Sequence, residues 1–207
     1  MNAVRYGHQQ IFPSKVVCIG RNYVEHIEEL GNEIPAGMVV FNKPNSAISD
    51  RLYFVSEDTR FEGEITFLIQ KGKIAGVGFG LDLTRATLQN YLKSKGLPWE
   101  RAKAFDCSAV LSEFVPFQGE LDSLSMKLYV NDVLVQFATH ELMMYKPQTM
   151  LNEIESFMHL EDGDVIMSGT PKGVGTYAAG DRFLGQIYSY DVLILEKNWE
   201  VETKNVV

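Results

Sequence analysis

Cysteine is scarce, with two in 207 residues, and that scarcity excludes a disulfide framework as what holds the fold together. Cys18 and Cys107 stand among apolar or small residues and are expected to be reduced, buried thiols. A basic surplus is also missing. Nineteen Lys and Arg against 27 Asp and Glu give a net charge of −8, which repels phosphate backbones and anionic lipid and argues against nucleic acid or a membrane as partner. No apolar run approaches the roughly 20 residues of a membrane span, and residues 1–13 have no signal-peptide core, so the cytoplasm is the expected compartment. Repeats, low-complexity tracts and linkers are absent too, and residues 1–207 are therefore expected to form a single domain.

What is present is the composition of a globular chain, 45% hydrophobic and 22% charged, enough to build a full core. Residues 15–20 read as a short apolar strand, and 22–30 as a polar helix stopped by Gly31 and Pro35. Residues 38–43 form a second strand-like run. The stretch 61–70 alternates and is β-rich, and after the Lys71-Gly72-Lys73 turn the run 74–83 reads as its hairpin partner. Thr84 is placed as the cap of a helix reaching Ser94. Residues 124–130 and 133–137 flank a tight turn at Asn131-Asp132, while 149–160 have helical spacing at Leu151, Ile154 and Met158. Late strands are expected at 164–167 and 191–195. Many strands with few helices, out of regular alternation, predict an α+β fold with a large mixed or mostly antiparallel sheet.

Several residues can carry chemistry. Glu62 and Glu64 flank Gly63 in the 61–70 strand, and a period of two puts both carboxylates on one face, about 7 Å apart along the strand. Asp82 ends the next apolar run, where a hairpin brings it alongside. Three carboxylates without Cys or paired His are hard ligands, which favours Mg²⁺ or Mn²⁺ over Zn²⁺. Taken alone, Glu-x-Glu on a strand is usually the pattern of a solvated face. His26 and Glu29 are three apart on the 22–30 helix, a spacing that lets the carboxylate orient the imidazole, or that makes an ordinary surface contact. Residues 168–175, Ser-Gly-Thr-Pro-Lys-Gly-Val-Gly, follow a strand and present backbone N–H groups to an anion, although their spacing is not that of a nucleotide phosphate loop. Lys103 is a cation among small and apolar neighbours, suited either to neutralising a carboxylate or to snorkelling.

Taken in order, these motifs resemble the fumarylacetoacetate hydrolase superfamily, in particular its small acylpyruvate hydrolases and oxaloacetate decarboxylases. The match runs over about residues 15–180. It is carried by residues 18–23 with His26 and Glu29, Lys43-Pro44, Glu62-Gly63-Glu64, residues 81–84 with Gln89, residues 102–106 and residues 168–175. The resemblance implies a distorted mixed β-sheet roll with few short helices, a homodimer, and Mg²⁺ or Mn²⁺ on Glu62, Glu64 and Asp82. It implies His26, Glu29 and Lys103 as catalytic residues, and Arg21, Tyr23, Arg85, Gln89, Gly169 and Thr170 as contacts to a small 2-oxo acid substrate. The activity it implies first is hydrolysis of a carbon–carbon bond in a 2,4-dioxo acid to release pyruvate. Decarboxylation or tautomerisation of oxaloacetate on the same site comes second, and a non-catalytic binding protein third. The segment 22–35 is a lid candidate. Two positions depart from the family pattern. Phe61 stands where a histidine is usual, and Ala86 where an arginine is usual, with Arg85 one place earlier; on a helix that shift turns the side chain by about 100°.

Overall fold

The computed structural model describes residues 1–29, 31 and 35–203. Its centre is an eight-stranded mixed sheet. The strand order is Val39–Pro44, Lys15–Gly20, Val165–Met167, Gly63–Gln70, Lys73–Asp82, Ala109–Leu111 and Ile48–Ser49, with Val115–Pro116 also paired to Lys73–Asp82. Lys15–Gly20 runs parallel to Val165–Met167, with Cys18 opposite Met167, whereas Gly63–Gln70 and Lys73–Asp82 form an antiparallel hairpin. The central strands are buried on both faces, so the stretch 61–70, expected to alternate, is instead an almost continuously buried strand from Gly63 to Gln70. Gly78 and Gly80 share one face of Lys73–Asp82, where a Cβ would come within 2.9 Å of the Phe114 ring and 2.6 Å of Thr66 Cγ2. Their lack of a side chain is what lets neighbouring groups lie flat on the sheet.

A second, antiparallel sheet, ordered Val133–Thr139, Leu124–Val130, Arg182–Ser189 and Val192–Glu200, packs over the first. The seam is aromatic. Phe61 meets Phe183 edge to face at 5.1 Å between centroids, and Phe79 lies 6.2 Å from Trp199. Truncating Phe61, which is 3% exposed, is expected to cost about 3–5 kcal/mol, so this residue at the departing family position is a core residue.

The strand at 15–20 falls where the sequence places it, the run 38–43 is the strand Val39–Pro44, and both expected hairpins form with ends shifted by one or two residues. The first helix is Val24–Glu29, shorter than 22–30; Leu30 lies outside the described residues, as do 32–34 of the lid candidate. Asn22 is excluded from that helix because its amide is used elsewhere: it donates to Ser168 O at 2.8 Å and Tyr145 O at 3.1 Å. Thr84 does not cap the next helix. It pairs with Arg60 in a short strand, and Ala86–Ser94 begins after Arg85 without a side-chain cap. The fourth helix is Pro147–Glu155, earlier than 149–160, because Pro147 presets the first turn. Arg182–Ser189 is a strand that the sequence reading passed over; Phe183, Gly185 and Ile187 point into the core between polar or half-buried neighbours.

Candidate metal centre and active site

The chemistry collects at one end of the large sheet. Loops leave Gly20 and Met167 from adjacent parallel strands, Gly63–Gln70 begins there, and Lys73–Asp82 ends there. Glu62 lies just outside the strand that it was expected to share with Glu64. The sheet still brings the two carboxylates close to Asp82: one oxygen from each of Glu62, Glu64 and Asp82 lies within 4.8 Å of the others. Asp82 is held alongside by its backbone, Asp82 N donating to Glu62 O at 2.9 Å across the hairpin.

Two buried amines share this cluster. Lys103 Nζ donates to Asp82 Oδ2 at 2.7 Å, Glu62 Oε2 at 3.0 Å and Thr84 Oγ1 at 2.5 Å. Burial acts to lower the Lys103 amine, but the Asp82 and Glu62 carboxylates outweigh it and hold its pKa above the ordinary lysine range. Lys43, fully buried, reaches Asp82 Oδ1 at 2.7 Å and donates to Ser108 O at 3.0 Å, Leu83 O at 3.3 Å and Lys103 O. Sequence reading took Lys43 only as part of a motif; an apolar strand with a lysine at a core position was the available signal.

Glu62 is pushed up by burial and pulled down more strongly by Lys103 and the Thr84 hydroxyl, so it sits below the usual carboxylate range. Glu64 goes the other way. Burial, then the charges of Asp82 and Glu62, raise it well above that range, although Gly169 N donates to its Oε2 at 2.7 Å. Three carboxylates thus outnumber two amines in a largely buried site. Hard oxygen donors at this spacing, with one carboxylate short of a counter-charge, fit a divalent Mg²⁺ or Mn²⁺. With such an ion the local balance turns positive, which suits an anionic ligand.

The loop after Met167 locks the cluster. Gly169 has φ +95°, and a Cβ there would come within 2.9 Å of Ile19 O, so the close approach to Glu64 requires glycine. The Thr170 hydroxyl donates to Gly63 O at 2.9 Å and accepts from Gln136 Nε2 at 2.9 Å. Gln136 also accepts from Gly63 N at 2.8 Å, tying the second sheet to the site. His26, 6% exposed, faces Glu29 Oε2 through Nδ1 at 3.2 Å, and Glu29 in turn accepts from Gly173 N at 3.0 Å. The helix and the 168–175 loop therefore position one imidazole together.

A small cavity joins these groups, and its walls include Arg21, His26, Glu62, Glu64, Asp82, Gln89, Lys103 and Thr170. Phe41, Lys93 and Trp99, which sequence reading missed, line it too. Phe41, Trp99 and Lys103 also border an open groove of about 510 Å³ alongside. Two expected substrate contacts stand elsewhere. Arg85 precedes the helix instead of riding on it, and its guanidinium lies 4.5 Å from the Phe105 ring centroid, outside the lining. Tyr23 is 2% exposed and packed in the core, where burial and then the Glu64 charge push its phenol far up, so it is no side-chain contact to a ligand in this cavity.

The model of the fumarylacetoacetate (FAA) hydrolase C-terminal family matches residues 15–190. Oxaloacetate tautomerase YcgM of Escherichia coli (strain K12) is 37% identical over 188 residues, 82% of this chain and 86% of that protein. The mitochondrial oxaloacetate tautomerase FAHD1 of Bos taurus is 32% identical over 90% of this chain and 91% of its own. The crystal structure of fumarylpyruvate hydrolase from Pseudomonas aeruginosa, in complex with Mn²⁺ and pyruvate, superposes with a TM-score of 0.88 at 26% identity and covers 98% of this chain and 96% of that one.

Proposed function

The chain belongs to the fumarylacetoacetate hydrolase family of enzymes, and from that premise we propose that it is a divalent-metal-dependent tautomerase interconverting the keto and enol forms of oxaloacetate. The observation that carries this reading is the meeting of the Glu62, Glu64 and Asp82 cluster with the His26–Glu29 pair in one cavity. Sequence reading put carbon–carbon hydrolysis first. The order is reversed here because the relatives at 32% and 37% identity carry the tautomerase name, whereas the hydrolase is 26% identical.

Mg²⁺ or Mn²⁺ on Glu62, Glu64 and Asp82 would stabilise negative charge on the 2-oxo oxygen as a Lewis acid. His26 is the base. Held through Nδ1 by Glu29, it takes a proton from C3 of the substrate at Nε2, and its return to oxygen or carbon completes the exchange. Lys103 holds Glu62 and Asp82 in place and adds positive charge beside the developing enolate. The loop at Gly169 and Thr170 fixes Glu64 and closes the floor of the cavity.

Hydrolysis of an acylpyruvate is the second reading, favoured by the likeness to fumarylpyruvate hydrolase. There His26 takes its proton from water, which adds to the distal carbonyl; the C3–C4 bond breaks and its electron pair stays on C3 of pyruvate, which then takes a proton. Decarboxylation of oxaloacetate leads to the same enolate. One assay separates them: enol absorbance of oxaloacetate and of acetylpyruvate, with CO₂ and pyruvate quantified, on Mg²⁺-loaded and EDTA-treated protein. Rapid keto–enol equilibration lost in EDTA, without stoichiometric pyruvate, supports the tautomerase; faster turnover of acetylpyruvate overturns it.

A homodimer in the cytoplasm belongs to the same proposal. Exposed Val133, Leu134 and Phe137 lie on Val133–Thr139 at the edge of the second sheet, an apolar edge that a second copy would cover. Light scattering behind size exclusion reads the mass directly, and a monomer at micromolar concentration would remove the dimer.

A further inference from the structure

Lys93 lies in the last turn of Ala86–Ser94 and lines the cavity that holds Glu62, Glu64, Asp82 and His26. The two fully buried amines of this site have found their anion: Lys43 and Lys103 each reach Asp82 at 2.7 Å. Lys93 has not. Among the described residues no carboxylate oxygen comes within 4.0 Å of its Nζ, although the residue is half-buried.

Its two contacts are neutral and directional. Nζ donates to Gln89 Oε1 at 3.2 Å, one helical turn back, and sits 5.0 Å from the centroid of the Trp99 ring. These contacts aim the amine without compensating its charge. Burial first, and then the Arg21 charge, lower its pKa; Glu62 pulls the other way, ahead of the lesser effects of Lys103 and Arg60. An ammonium with no carboxylate paired to it thus lines a concave site, an arrangement that an incoming anion relieves. Nor does the neighbouring helix start offer a competitor: position 86 is alanine, and the Arg85 guanidinium rests on Phe105. Lys103 is committed to Glu62 and Asp82.

We propose that Lys93 is the specificity-determining residue of this site, its ammonium pairing with the distal carboxylate of a 2-oxo dicarboxylate while Gln89 and Trp99 hold it in place. The inference rests on the 2-oxo-acid reading above and adds to it a preference: substrates with a second carboxylate beyond C3 over acylpyruvates with a neutral acyl end.

Calorimetric titration of Mn²⁺-loaded wild type, Lys93→Gln and Lys93→Arg tests it with two ligands. Oxalate has no carboxylate beyond its chelating pair, whereas 3,3-difluorooxaloacetate has one and cannot enolise. Lys93→Gln should weaken difluorooxaloacetate roughly tenfold or more and oxalate by no more than about twofold, with Lys93→Arg recovering most of the loss. In turnover, the KM for oxaloacetate should rise by a similar factor, kcat should hold within about threefold, and acetylpyruvate should be unaffected. Equal weakening of both ligands, or of neither, overturns the assignment of Lys93 while leaving the 2-oxo-acid site standing. Failure of both ligands to bind wild type removes that site and this inference with it.

Discussion

Glu64→Gln should change the sign of its effect on stability when metal is added. Glu64 is 2% exposed and accepts one backbone N–H, from Gly169 at 2.7 Å, while the ion pairs of Lys43 and Lys103 go to Asp82 and Glu62. Burial and the neighbouring carboxylates raise its pKa, so the fold is most stable with Glu64 protonated and loses stability as pH rises through that raised value. Glutamine keeps an acceptor for the Gly169 N–H and deletes the charge. At neutral pH in EDTA the variant is therefore expected to be more stable by about 0.5–2 kcal/mol, the usual gain when a strained functional group is removed. At ~2–4 °C per kcal/mol for a chain of this length, that is a Tm higher by about 1–8 °C. Metal at a hundred times its Kd adds about 2.7 kcal/mol to wild type. The same conversion makes this about 5–11 °C, and the variant, lacking one of three ligands, should gain little. Differential scanning fluorimetry in EDTA and across a Mg²⁺ or Mn²⁺ titration reads both effects. The reasoning is refuted if neither ion shifts wild type at millimolar concentration, or if Glu64→Gln melts well below wild type in EDTA.

His26→Ala should lower kcat by about 10²–10⁴ with a nearly unchanged Tm, and near-wild-type turnover would remove the imidazole from the mechanism. Gly173→Ala introduces a Cβ that runs into the Val135 carbonyl oxygen at φ +96° and displaces the N–H that holds Glu29. A loss of kcat beyond about tenfold is expected, and full activity would show that Glu29 does not need this anchor. Asp164→Asn breaks a buried hub whose two oxygens accept from Ser14 N, Ser14 Oγ, Lys15 N, Lys15 Nζ and Glu161 N, and should cost about 2–4 kcal/mol at neutral pH. Burial pushes Asp164 up, but Lys15 and Ser14 outweigh it and leave it lowered, so its stabilisation is complete above the unfolded carboxylate pKa and fades as pH falls through the folded value. The gap between the urea melts of the two proteins should therefore narrow as pH falls below the unfolded carboxylate value of about 3.9, and a gap that stays constant or widens on acidification would contradict the assignment.

The large sheet and the acidic cluster were legible because each rests on local pattern. The strands at 63–70 and 73–82 are long apolar runs around a Lys-Gly turn, and Glu62, Glu64 and Asp82 sit at their common end. The His26–Glu29 spacing needs only one helical turn, and six residues of helix supply it. What stayed hidden depends on packing between distant segments. No local signal says that Gln136, on a strand of the second sheet, hydrogen-bonds Gly63 and Thr170, or that Thr84 turns toward Glu62 at 2.6 Å instead of capping a helix. Arg85 and Tyr23 show the converse of this dependence. Their places in the motif suggested ligand contact, but a ring stack on Phe105 and burial among core side chains occupy them.

The Gly63–Gln70 strand puts Glu64 near one tip of its hairpin and the Lys71-Gly72 turn at the other, eight residues away and so about 25 Å along the strand. Peptide tags or surface-attachment points spliced into that turn would stand clear of the reacting atoms. One hairpin thus offers a handle for immobilising the enzyme at one tip while the other stays open to titration.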